Sequence, residues 1–225
     1  MAIALEPAIS TGPPINSASS ANCYPRTHHH VVLTLSTPMT AQPALDDRWT
    51  IADLDHLNPH QPYEIIAGDL YVIHAPHWQH QRICGRISRF LDIWSEETQL
   101  GQVVMGPGVI FSEADNVIPD VVWVQQERLG AIVDEAGHLT AAPDLVVEVL
   151  SESAKDQVRD RQVKRKLYSS QGVQEYWIVD RFQKRIELYR RSETHLERVA
   201  TLLATDRLTS PLLPNFSCEV ALLFR

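Results

Sequence analysis

A mixed α/β fold, with a central mixed sheet flanked by helices, is predicted by three features of the sequence. Pro143 to Asp180 reads as an apolar strand, a basic helix and a second apolar strand. Upstream, His77 to Trp94 carries apolar residues at helical spacing, with hairpin-like and strand-like runs on either side of it. At 225 residues, 44% of them hydrophobic, the chain is long enough to bury one core of ordinary size.

Residues 1–45 are rich in Ala, Ser, Thr and Pro and hold no sustained period, so a disordered extension is expected ahead of one folded domain over 46–225. Met39 stands just before the first patterned segment, and translation starting there is an expectation that N-terminal sequencing of the native protein would check. The run His28–His30 reads as incidental. Three cysteines without CxxC spacing suggest neither a disulfide framework nor a cysteine-rich zinc site. With no apolar run of 18 residues and no secretory pattern, a cytoplasmic protein with no membrane partner is expected.

Thr50 begins a short helix, with Thr50 or Asp53 as its cap. Tyr63 to Ile73 places two apolar runs around Ala67-Gly68-Asp69, a hairpin pattern with Glu64 at its start. Ile83, Ile87, Phe90, Leu91 and Trp94 then form a helical stripe, and His80 sits at its N-terminal end. A histidine there is either a packed core residue or one aimed into a site. Gln102–Phe111 and Val117–Val124 read as strands separated by the polar turn Ser112–Asn116, and the second contains Pro119-Asp120 ahead of an apolar run.

After Asp144, the run to Leu150 is apolar except for Glu148, and an ionised carboxylate inside a buried strand is costly unless a cation or donors meet it. The following helix runs from Ser153, with Asp156 completing a capping-box-like pair, to Gly172. Glu175–Asp180 and Arg185–Tyr189 are further strands, and the tail reads as irregular packing with a short final element.

The net charge of -8 does not favour a nucleic-acid partner, yet the charge is uneven. Lys155–Arg191 holds eleven Lys/Arg against five Asp/Glu, leaving nine against 23 elsewhere. A basic segment beside clustered acids suits a phosphate-bearing substrate held near a metal, and equally a solvated charged helix.

Spacing constrains which acids can cooperate. Asp144 and Glu148 are four residues apart on one strand, roughly 13 Å, too far to share an ion. Asp120 and Glu148 lie on different strands, and neighbouring strands are about 4.8 Å apart, so that pair can converge, with the Val149 carbonyl as a third oxygen. Mg²⁺, with Mn²⁺ as an alternative, suits such a partial oxygen cage. Asp160, Lys164 and Tyr168 follow at i, i+4 and i+8, on one drifting helix face, a pattern that an ordinary surface ion pair also explains.

The strings PDVVWV, PDLVVEVLSES and D-x3-K-x3-Y-x3-GV-x-EYWIVD, with YEIIAGDL and the His80 helix, resemble the Uma-type family of proposed bacterial restriction endonucleases within the PD-(D/E)XK nuclease superfamily. The resemblance spans about Thr50 to the C-terminus. It implies a restriction-endonuclease-like sheet and metal-dependent phosphodiester hydrolysis, most readily of DNA, with a symmetric dimer as one way to cut both strands. Asp120 and Glu148 take the metal-binding roles together with the Val149 backbone carbonyl. Leu150 stands where the superfamily has its lysine, and the resemblance moves that role to Lys164. Asp160 and Tyr168 are then expected to position Lys164, while Glu64 and His80 are secondary candidates. Ala67-Gly68 in place of Asp-Gly, and Glu152 and Arg181 in place of prolines, depart from the family pattern in loops. A non-catalytic nucleic-acid-binding protein is the alternative; a glycoside hydrolase would need two facing acids and a substrate platform that the sequence does not show.

Overall fold

The computed structural model describes residues 48–225. The expectations for the extension, for Met39 and for the histidine run lie outside the described residues.

Thr50 caps α1 (Ile51–Leu54), and the Asp53 carboxylate accepts from the Thr50 N–H at 2.8 Å. β1 (Tyr63–Ile66) and β2 (Asp69–Val72) form the expected hairpin. Its two-residue turn puts Ala67 at φ 52° and Gly68 at φ 80°, the positive-φ pair that matches strand twist. α2 (Trp78–Thr98) buries His80, Ile83, Cys84, Ile87, Leu91 and Trp94 on one face.

The predicted strand Gln102–Phe111 is two strands in two sheets. β3 (Gly101–Met105) ends at Gly106, whose φ of 61° turns the chain ahead of Pro107 and Gly108, and β4 (Val109–Ser112) belongs elsewhere. Val117–Val124 splits likewise into β5 (Asp115–Val117) and β6 (Val121–Gln125), because Pro119 cannot donate to a ladder. Asp120 therefore precedes β6 rather than lying within it. A short α3 (Gln126–Ile132) leads to β7 (Leu145–Val149).

The basic helix is composite: α4 (Ala154–Val158), a wider π-helical turn (Arg159–Lys164) and α5 (Arg165–Gln171). Ser153 Oγ accepts from the Asp156 N–H, but the Asp156 carboxylate turns to the Ser151 hydroxyl, so the capping box is not reciprocal. Gly172, at φ 97°, ends the helix. β8 (Glu175–Asp180), β9 (Arg185–Ser192), β10 (His195–Leu202), β11 (Arg207–Ser210), β12 (Leu213–Glu219) and α6 (Val220–Leu223) complete the chain. The tail is thus a hairpin and a helical turn rather than irregular packing.

A six-stranded sheet in the order β10-β9-β8-β7-β6-β3 is parallel only between β7 and β8, whose crossover is the composite helix. Strand alternation sends Val121, Trp123, Val147, Val149, Trp177 and Val179 to the face covered by α2. Val122, Val124, Val146, Tyr176 and Ile178 go to the other face, with Leu167 and Tyr168 of α5 and Ile66, Val109 and Val117 of the small β2-β1-β5-β4 sheet. Glu148 shares the parity of Val146, which aims it into this second layer.

At the edge of the large sheet, a Cβ on Gly101 would collide with the Val124 carbonyl oxygen and the Trp123 ring. Backbone and a buried indole cannot give way cheaply, so Gly101→Ala is expected to cost about 1–3 kcal/mol in urea denaturation.

Candidate functional site

The register of β6 and β7 pairs Val121 with Val147, so Asp120 and Glu148 extend the same ladder by one step. Asp120 Oδ2 accepts from the Val149 N–H at 2.7 Å and lies 3.1 Å from His80 Nε2. That bond fixes the carboxylate across the end of β7. α2, which packs on the opposite face, reaches it only because His80 sits in its first turn.

Behind Asp120 lies a buried charge cluster. Glu64, Glu148, Asp160 and Lys164 are all no more than 4% exposed. Lys164 Nζ donates to Glu148 Oε1 at 2.9 Å and lies 2.8 Å from Glu64 Oε1. Tyr168 Oη donates to the same Glu148 oxygen at 2.8 Å, and the Ile118 N–H donates to Glu64 Oε1 at 2.9 Å. Both side-chain donors to Glu148 converge on Oε1, which leaves Oε2 for the cleft.

Three expectations change in detail. Tyr168 holds Glu148, not Lys164. Asp160 makes no ion pair with Lys164; its carboxylate lies 3.5 Å from Arg159 Nε, so the surface-pair reading of Asp160 and Lys164 does not describe them. Glu64, a secondary candidate in the sequence, is a direct partner of the lysine. Asp144, the acid excluded by distance, is engaged at the far end of β7, where Arg128 approaches it at 2.6 Å.

The π turn explains how Asp160, Lys164 and Tyr168 share one face. In a regular α-helix each step of four residues overshoots by about 40°, so i and i+8 drift about 80° apart. The i→i+5 bonding of a π turn adds close to one residue to the turn and offsets that drift. All three residues are buried.

Electrostatics set the protonation states. Burial would lower the Lys164 pKa, but the charges of Glu148, Glu64 and Asp160 outweigh it and raise it, so the amine stays protonated. Burial pushes Glu148 up to about 8 against the pull of Lys164, with Asp120 and Asp160 adding to the rise. Burial also raises Asp160, to about 6. Lys164 is therefore the charged partner of the 2.9 Å contact, and further positive charge in the cleft would draw Glu148 back toward its ionised form. Burial opposes protonation of His80, yet its hydrogen bond and charge contact with Asp120 and its bond to the Val149 backbone raise its pKa overall.

The cluster suits a further cation. Among the described residues, four carboxylates, Glu64, Asp120, Glu148 and Asp160, gather around the permanent cations Lys164 and Arg159. Glu64 Oε2 and Asp160 Oδ1 are buried without a hydrogen-bond partner. His80, Cys84 and Asp120 also present ligand atoms within 4.8 Å of one another. The Cys84 thiol is pushed far up, first by burial and then by Asp120 and Glu148, so it is a neutral thiol in the metal-free protein. The remaining donors are carboxylate oxygens and an imidazole, a set suited to a hard divalent ion.

Arg159 and Cys84 were not among the sequence candidates. Cys84 follows His80 by four residues on the apolar stripe, a spacing that could have marked it. Arg159 lies 3.9 Å from Glu64 Oε2 and carries no spacing signal, because its direction depends on the π turn. The cluster lines a cleft of about 470 Å³.

Sheet order, crossover helix and cleft together define a nuclease-like α/β fold. A putative nuclease belonging to DUF820 from Anabaena variabilis ATCC 29413, known from a crystal structure, is similar in fold, with a TM-score of 0.61 at 17% identity over 78% of this chain and 97% of that one. Residues 49–221 match the model of the Uma2 family, described as "Putative restriction endonuclease", and the chain belongs to that family. The comparison with curated proteins returns no match. Among the described residues no helix is long and apolar enough to cross a membrane.

Proposed function

We propose that the protein is a metal-dependent endonuclease that hydrolyses phosphodiester bonds, with DNA as its substrate. The observation that carries this reading is the buried lysine held between Glu64 and Glu148 in a cleft where carboxylates outnumber permanent cations. Asp120, Glu148 and the Val149 carbonyl would hold Mg²⁺, or Mn²⁺ in its place. Such an ion lowers the pKa of bound water and offsets charge developing on phosphate.

The chain's own groups prepare the site. Tyr168 and Lys164 fix Glu148 Oε1, and the Val149 N–H fixes Asp120. Lys164 stays protonated, so it acts as a donor and a fixed positive charge, not as a base; two acceptors take two of its N–H bonds, and the third remains for the attacking water or a phosphoryl oxygen. His80 donates toward Asp120 and holds that carboxylate in place.

The test is Mg²⁺-dependent cleavage of plasmid and single-stranded DNA by the wild type and by Asp120→Ala, Glu148→Ala and Lys164→Ala. Loss in each variant is expected; activity retained in all three removes the mechanism. One observation favours a second reading, a nucleic-acid-binding protein without turnover: the Lys164 residue is only 2% exposed. That reading predicts association that weakens with salt and no metal-dependent cleavage.

A further inference from the structure

Beside the carboxylate cleft, and joined to it through Arg181, lies a second groove of about 310 Å³ with the opposite electrostatic character. Its lining includes Arg82, Arg181, Lys184 and Arg225 and contains no Asp or Glu side chain, in a chain whose net charge is -8. The crowding is felt nearby: the pKa of Arg86 is lowered by burial and then by repulsion from Arg82 and Arg225. Arg181 Nε is buried without a hydrogen-bond partner, while its Nη1 donates to Gln79 Oε1 at 3.4 Å.

Exposed aromatic rings lie in and beside the groove: Trp78 lines it, and Phe182, outside the lining, packs next to Arg181. Trp78, at the start of α2, is 62% exposed and lies 5.4 Å from the Arg82 guanidinium. Phe182, in the turn between β8 and β9, is 48% exposed and lies 4.1 Å from the guanidinium of Arg181. Lys184 closes that turn at φ 49°. An exposed indole and an exposed phenyl ring beside guanidinium groups offer flat faces on which a base can stack.

We propose that this groove binds unpaired DNA on one side of the scissile phosphate, with a base stacked on Trp78, a second ring platform at Phe182, and the backbone held by Arg82, Arg181 and Lys184. The proposal rests on the nuclease reading and specifies its substrate. Charge complementarity selects a polyanion, and continuity through Arg181 leads that polyanion into the cleft. Exposed rings among cations select unpaired bases, because the bases of a duplex are already stacked on one another. The strand is taken to be DNA because the nuclease reading has DNA as its substrate, and an RNA strand of equal length is the comparison that tests this choice.

Fluorescence anisotropy of a labelled oligodeoxythymidine with the full chain, in EDTA so that no cleavage occurs, tests the groove. Trp78→Ala should weaken binding by about tenfold, and Trp78→Phe should keep it within about threefold, since a ring still offers a face. Arg82→Ala/Lys184→Ala should reduce the slope of log affinity against log salt by about 1.4. Binding of a duplex of equal length should be insensitive to Trp78→Ala. The proposal is overturned if Trp78→Ala and the double variant bind as the wild type does, if oligouridine binds more tightly than oligodeoxythymidine, or if duplex affinity falls with Trp78 as single-strand affinity does. Plasmid cleavage with Mg²⁺ is scored in parallel. Trp78-dependent binding without cleavage supports the groove and removes the nuclease reading; cleavage with Trp78-independent binding removes the groove alone.

Discussion

Replacing Lys164 with Met is expected to abolish metal-dependent cleavage and to destabilise the protein by about 3–5 kcal/mol at neutral pH, the usual cost of stripping one partner from a buried ion pair. Methionine fills similar volume, so the loss is electrostatic rather than a cavity effect. Lys164 is 2% exposed and neutralises carboxylates that are at most 4% exposed. Without it Glu64, Glu148 and Asp160 face each other with only Arg159 nearby, and neither water nor rearrangement of a packed sheet can replace the ammonium. Glu148→Gln is the informative contrast. The amide keeps an acceptor for Lys164 and Tyr168 and, like the carboxyl that burial holds largely protonated at neutral pH, carries no charge, so stability should stay within about 1 kcal/mol of the wild type although cleavage is lost. Adding Glu148→Gln to Lys164→Met should recover part of the lost stability, because without the lysine a buried Glu148 must take up a proton on folding and the amide needs none. Urea denaturation of the three variants decides the point. A Lys164→Met protein as stable as the wild type would mean that the contacts of Lys164 with Glu64 and Glu148 do not hold the site together.

The parts of this arrangement that were legible in the sequence are those written in single residues against a contrasting background. Glu148 stood out because every neighbour from Leu145 to Leu150 is apolar, and Asp120 because it follows Pro119 at the mouth of such a run. The βαβ crossover was legible because its helix has a cap, a C-terminal glycine and flanking apolar strands. What stayed hidden depends on where backbone hydrogen bonds change partner. Residues 102–111 and 117–124 each read as one strand, although Gly106-Pro107-Gly108 and Pro119 were the available signals that the chain crosses from one sheet to the other. β10 was missed because it is a sheet-edge strand whose exposed residues are mostly polar, with Leu196 as its one buried side chain. The π turn leaves no period in the side chains, so the roles of Arg159 and Glu64 could not be assigned from spacing. The position of Lys164 came from family resemblance, and its partners only from the fold.

The metal-free protein is also expected to lose stability, on the order of a few kcal/mol, as pH rises from about 5 to about 8. The cause is that Glu148 is raised from 4.5 to about 8 in the fold and Asp160 from 3.8 to about 6, mainly by burial. In that window the unfolded chain has released protons that the folded protein still holds, so the folded state binds more protons and raising pH favours unfolding. His80 acts in the same direction, since a histidine raised in the fold contributes stability below its unfolded pKa that fades as pH climbs through the folded value. Lys164, shifted upward from 10.5, contributes no slope here, because its stabilisation is present throughout and fades only at higher pH. A divalent cation reverses the trend: it binds the ionised carboxylates, so saturating Mg²⁺ should raise the melting temperature more at pH 8 than at pH 5. Glu148→Gln isolates the main contributor, and both the fall with pH and the pH dependence of the Mg²⁺ effect should shrink in that variant. Thermal melts in EDTA and in Mg²⁺ across this range are the measurement. A wild-type protein whose stability rises between pH 5 and pH 8 without metal, or an Mg²⁺ effect unchanged by Glu148→Gln, would place the cation away from Glu148.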